Sequence, residues 1–153
     1  EVNVLGWDVA AQDGLFVGNF ESTDDGRTMG ESLMDEGADV IMPVAGPVGA
    51  GTLAVIEERG AGWIVGVDND WTVSFANQAD FVLASALKNM DKYVYETIEM
   101  AMNGEFAGGN YLGTLENGGV GLGYGGVEIP AELQAEIEAL IPQIIDGTVA
   151  TLP

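Results

Sequence analysis

The chain has 153 residues, room for one domain rather than two, and 47% of them are hydrophobic, enough for a packed core. It carries 25 acidic residues against four cations (Arg27, Arg59, Lys88 and Lys92), a formal charge of −21. That repels nucleic acid and anionic lipid, both of which are gripped through clusters of Lys and Arg. With neither Cys nor His, the chain cannot form disulfides, thiol or Ser-His-Asp catalytic machinery, or Cys/His zinc sites.

Val2 to Val9 is apolar and β-branched, the composition of a strand. A polar stretch follows to Gly26. From Arg27 to Glu36, Met29, Leu33 and Met34 fall at helical spacing, with Gly37 as the stop. Asp39 to Gly46 is a short apolar run, the pattern of a strand buried on both faces, marred by Pro43. Val48 to Arg59 places Leu53 and Ile56 on one helical face and ends at Gly60. Trp63 to Asp70 reads as a second buried strand ending in acid. Strand, helix, strand, helix, strand with short turns predicts an α/β fold, a parallel sheet flanked by helices.

Phe81 to Ala86 suggests a further strand, and Met90, Val94, Ile98 and Ala101 trace a helical stripe over Asn89–Met102. The Gly-rich segment from Tyr111 to Tyr124 reads as two short strands or a strand and a loop. Ala131 to Ile145 carries an apolar face from Leu133 to Ile145, opened by Pro130, with Pro142 expected to bend or end it early. No apolar run reaches the ~18 residues of a membrane span, and no basic and apolar leader opens the sequence. The chain is therefore expected to be intracellular or a piece of a longer precursor.

Three places could carry chemistry. Gly46, Gly49 and Gly51 lie between a strand and a helix, where backbone N–H groups can meet an anion or a polar ligand edge. The same glycines suit a tightly packed turn, and the Gly-Lys-Ser/Thr of a nucleotide loop is missing. Asp68 and Asp70 follow an apolar strand, so a carboxylate at the sheet's carboxyl edge could accept sugar hydroxyls, with Trp71 as a flat apolar neighbour. A solvated strand end with a helix cap fits them equally. No metal is expected, since the pair lacks the spacing of a calcium loop. Lys88 stands between two apolar segments, as a ligand group or as an exposed helix-start lysine.

The segments GADVIMPVAGPVGAG, WIVGVDNDW, SALKNMDK and GTLENGGVGL, in this order, resemble the basic membrane protein family of ABC transporter substrate-binding lipoproteins, which includes purine nucleoside receptors. The resemblance implies one lobe of a type I periplasmic-binding-protein fold. Residues 1–153 would form a single α/β domain, the C-terminal lobe plus segments that cross the hinge, with the N-terminal lobe and lipoprotein signal outside this chain. It implies a non-enzymatic solute receptor without cofactors, anchored by lipid outside the cytoplasm and handing a nucleoside-like solute to an ABC permease. Carried over residue by residue, the ligand would be bound by Met42, at a position where the family has an aromatic residue, and by Gly46, Asp68 and Lys88. A ligand-sensing module of a regulatory protein is the alternative; an enzyme is disfavoured because no nucleophile–base pair is evident. With its other lobe missing, the fragment is expected to be prone to self-association.

Overall fold

The computed structural model describes residues 2–151. A four-stranded sheet, in the order β3-β4-β5-β6, organises the fold. Strand β3 (Val40–Ile41) pairs in parallel with β4 (Trp63–Asp68), and β4 in parallel with β5 (Val82–Lys88). Strand β6 (Val120–Tyr124) runs antiparallel to β5, with Lys88 opposite Val120. Of the three strands expected to run parallel, those beginning at Asp39 and Trp63 do so as β3 and β4; β5, not Val2–Val9, is the third, and the antiparallel β6 makes the sheet mixed. The reversal follows the chain: α4 (Met90–Met102) and the loop after it lead back to the edge where β5 ended.

Helices α1 (Thr23–Asp35) and α2 (Gly49–Arg59) pack closely on one another. Their contact is made by small residues: Gly26 lies against Val48, Gly51 against the Thr23 carbonyl, and Thr52 Oγ1 donates to the Gly26 carbonyl at 2.9 Å. The apolar face of α2 covers the sheet. Leu53 and Ile56 join Ile64 and Val67 of β4, Val82 of β5, and Trp71 of the short helix α3 (Trp71–Ser74) in the core. A 3₁₀ turn over Ala76–Phe81 then leads into β5.

Several boundaries differ from the sequence reading. Helix α1 starts four residues earlier than expected because Ser22 caps it, its hydroxyl accepting from the Asp25 N–H at 3.1 Å. The strand expected over Val2–Val9 is reduced to β1 (Trp7–Asp8), paired antiparallel with β2 (Asp13–Gly14). Gly6 turns the chain with φ +76°, and Val2 and Val4 stay exposed. Strand β3 stops at Ile41, just short of Pro43, which has no N–H for a ladder. Helix α5 (Ala131–Ile145) runs through Pro142 without ending; Glu138, whose carbonyl loses a helical bond there, is exposed. Neither α4 nor α5 contains a buried residue.

Candidate functional site

The parallel strands bring three of the four expected ligand residues to one edge. Met42 follows β3, Asp68 ends β4 and Lys88 ends β5. In an open α/β sheet, side chains at the carboxyl ends of the strands meet solutes, because the loops that follow diverge there and leave a crevice. Lys88 Nζ lies 2.6 Å from Asp68 Oδ1, an ion pair bridging adjacent strands. The lysine side chain is 64% exposed and the aspartate 35%, so the pair sits at the surface rather than in the core.

Asp68 adopts φ +72°, a left-handed conformation that costs a non-glycine residue free energy. This kink ends the strand and leaves the carboxylate beside Lys88. Asp70, the second acid, plays another part. Its Oδ1 accepts from the Thr72 N–H at 2.9 Å and from the Thr72 hydroxyl at 2.7 Å, capping α3. The two readings of this acidic pair are thus divided between its members.

Trp71 is not available as a flat face. It is 3% exposed; its Nε1–H donates to the Val67 carbonyl at 3.0 Å and its backbone N–H to Ser85 Oγ at 3.1 Å. The ring packs over Gly66 and against Phe75, whose centroid is 4.9 Å away. Met42, by contrast, is 50% exposed. Gly46 opens a 3₁₀ turn (Gly46–Val48) at φ +55°, with open space where a Cβ would stand. Gly49 and Gly51 serve packing, the former under Pro43 and Trp71, the latter against α1. Two of the three glycines in this turn are thus occupied by packing, and only the half-buried Gly46 faces open space.

Of the two readings of Tyr111–Tyr124, the structure takes the strand and loop: β6 preceded by a closed loop for which the sequence indicated no role. Asn89, directly after Lys88, donates its N–H to the Gly119 carbonyl at 3.0 Å and its Nδ2–H to the Gly118 carbonyl at 2.8 Å. The loop is closed by Asn117, whose Oδ1 accepts from Thr114 N–H at 2.8 Å and Gly119 N–H at 2.9 Å. Tyr93 of α4 wedges its ring between Gly113 and Gly119, and its hydroxyl is buried without a hydrogen-bond partner. The Tyr111 ring lies tilted against Tyr93 with centroids 4.5 Å apart, and its hydroxyl donates to Glu96, which also pairs with Lys92 at 2.6 Å. Those two donors hold the Glu96 carboxyl below its ordinary range, Lys92 contributing most; hydrogen bonding to Glu96 raises the Tyr111 phenol. The run of Asn and Gly in this loop was the available signal: a carboxamide closing a tight turn, and glycines where backbones touch.

A family profile described as ABC transporter substrate-binding protein, PnrA-like, matches residues 15–149, nearly the whole sheet and its helices. The chain belongs to this family. Over 152 residues it is 28% identical to the "ABC transporter nucleoside-binding protein BmpA" of Lactococcus lactis, covering 90% of this chain and 42% of that protein. It is 30% identical to "Basic membrane protein A" of Borreliella afzelii, covering 88% of this chain and 41% of that one. Among solved structures, a solute-binding protein of an ABC transporter system from Aeropyrum pernix superposes with a TM-score of 0.75 at 22% identity, over 90% of this chain and 46% of that one. A transcriptional activator of the comK gene from Bacillus halodurans superposes with a TM-score of 0.78 at 18% identity, over 94% and 50%. At such identities the superpositions show a shared fold, which serves proteins of different function. The PnrA-like chain described here spans about two fifths of the length of these curated relatives and about half of the solved chains.

Proposed function

We infer that this chain is the C-terminal half of a two-lobed receptor that captures a nucleoside or related small solute outside the cytoplasm and delivers it to an ABC permease. In this reading the N-terminal lobe and a lipid anchor belong to the part of the receptor beyond these residues, and the protein catalyses no reaction. The observation that carries it is the Asp68–Lys88 pair at the carboxyl edge of the sheet, held there by a strained backbone. A carboxylate and an ammonium side by side offer an acceptor and a donor, which suits a solute bearing hydroxyl and carbonyl or ring-nitrogen groups. Met42 would lie against the apolar face of the ligand, since a thioether packs well on a ring. Gly46 would let the ligand approach the backbone.

Family membership supports the receptor class, and the printed name of the Lactococcus relative supports the nucleoside. Calorimetry on the two-lobed receptor with nucleosides and their free bases tests the reading. Asp68→Ala is expected to weaken nucleoside binding by about 2–5 kcal/mol, the range for truncating one partner of a desolvated charged hydrogen bond. Free-base binding should suffer less. Equal losses would remove Asp68 from the sugar, and no response to any nucleoside would overturn the ligand class.

A further inference from the structure

Lys88 is the last residue of β5, and the two neighbouring strands hold it unequally. The pairing with β4 ends one residue earlier, where Asp68 stands opposite Leu87. The pairing with β6 continues through Lys88, opposite Val120. Helix α4 begins at Met90 and buries no residue, so it cannot fix where β5 ends. The backbone of Lys88 is therefore held from the β6 side.

Asn89 carries that hold one step further. Its N–H donates to the Gly119 carbonyl at 3.0 Å, and its Nδ2–H to the Gly118 carbonyl at 2.8 Å. Asn89 is also the residue before α4, where an asparagine ordinarily turns its side-chain oxygen onto a free N–H of the first turn. It makes no such cap; the side chain reaches across to the loop instead. The turn it grips is itself firm. Asn117 Oδ1 accepts from the N–H groups of Thr114 and Gly119, and its Nδ2–H donates to the Leu112 carbonyl at 2.8 Å. The Tyr93 ring fills the gap between Gly113 and Gly119, where a Cβ on either glycine would overlap its hydroxyl.

We propose that Asn89 is a positioning residue for the Asp68–Lys88 pair: by clamping the turn from Gly113 to Gly119 it fixes the end of β5 and keeps the ammonium on the carboxylate. The clamp acts through the backbone of Lys88. Its service to a binding site rests on the receptor reading; its hold on the pair does not. An exposed ion pair on a long, flexible lysine stem gains too little to order a loose strand end by itself. With the backbone fixed beforehand, only the side chain remains to be ordered when a ligand arrives, and pre-organisation of that kind strengthens binding.

Asn89→Asp separates this role from helix capping. Aspartate caps a helix as well as asparagine does and has the same shape, but when ionised it only accepts, and it would face the Gly118 carbonyl without a donor. Asn89→Ala, which removes cap and clamp alike, provides the same test should the aspartate variant fold poorly. NMR on the chain follows the through-space contact between the Lys88 and Asp68 side chains and the exchange of the residue 89 N–H. The native chain is expected to show the contact. Both variants are expected to lose it and to exchange that N–H about tenfold faster, with the amides of β4 unaltered. Calorimetry with adenosine on the two-lobed receptor then completes a double-mutant cycle. Asn89→Asp is expected to weaken binding about tenfold on the native background and less than about twofold beside Lys88→Met, where no ammonium is left to position. A contact absent from the native chain or kept in the variants overturns the proposal, as does equal weakening on both backgrounds. If the contact is lost as expected while adenosine binds neither the native receptor nor its variants, the positioning stands and the nucleoside reading falls.

Discussion

Asp68 concentrates the tension between stability and use. A left-handed aspartate ends β4 where a glycine would do so at no steric cost. Its pairing with Lys88 is too exposed to add more than about 1 kcal/mol. Asp68→Gly is therefore expected to hold or raise the unfolding free energy, by up to about 1 kcal/mol, while weakening the nucleoside binding proposed for the two-lobed receptor as Asp68→Ala does. Denaturant melts alongside calorimetry check this. A destabilisation beyond about 1 kcal/mol would mean that the carboxylate supports the fold. Tyr93 is the reverse case. Its hydroxyl is buried between two glycines with nothing to bond, and an unsatisfied buried polar group costs about 1–3 kcal/mol. Tyr93→Phe is expected to stabilise the chain, where most buried tyrosines lose stability on that change. A lowered midpoint would show that the hydroxyl has a partner in solution.

At the scale of elements, protection should divide the chain. Helix α2 and strands β4 and β5 bury the core, whereas α4 and α5 bury no residue. Hydrogen exchange is expected to be slowest in α2, β4 and β5 and faster by orders of magnitude in α4 and α5, because opening the latter uncovers little apolar surface. Equal protection would mean that these helices pack on something in solution. The link between α4 and the following loop is polar and holds between two pH limits. Glu96 titrates below its ordinary 4.5 in the folded chain, so its contribution is present above that value and is lost as pH falls further. Tyr111 titrates above its ordinary 10.0, so its contribution is present below pH 10 and is lost as pH rises through the raised value. Ultraviolet titration of the phenolates should find Tyr111 ionising late, and Glu96→Gln should bring it down. An unchanged titration in that variant would break the link.

The whole molecule is governed by its charge. A formal charge of −21 with all four cations already engaged leaves a large net self-repulsion in the compact state. Added salt shortens the reach of that repulsion to about 3 Å at 1 M. The melting temperature is expected to climb by several degrees between low-salt buffer and molar sodium chloride, each kcal/mol counting for about 2–4 °C at this chain length. A flat profile would show the acids to be spaced widely enough to ignore one another. The apolar stripes of α4 and α5, with Val94, Ile98, Leu140 and Ile145 exposed, belong to this scale as well. The superposable structures are about twice as long, and the proposed N-terminal lobe is the natural cover for those stripes.

Local pattern was enough for much of this. Leu53 and Ile56 announced the buried face of α2, the stripe from Met90 to Ala101 marked α4, and the apolar run from Trp63 marked β4. Side-chain periodicity is written into the residues themselves and needs no partner. The same holds for the acidic surface and for family membership, carried by ordered segments such as SALKNMDK. Other features depended on what lies far away in the chain. Val2 to Val9 has strand composition, yet no long strand lies beside it among the described residues, so only Trp7 and Asp8 pair. Nothing within GVDNDW distinguishes Asp68 from Asp70, or marks Trp71 as core. A packed sheet decided these: Ser85 of β5 accepts from the Trp71 N–H, Gly66 makes room for the ring, and Lys88 comes within 2.6 Å of Asp68. The antiparallel course of β6 and the grip of Asn89 on Gly118 and Gly119 were decided in the same way. Periodicity reports which face of an element is apolar; which side chains meet across the sheet edge is settled only when distant segments come into register.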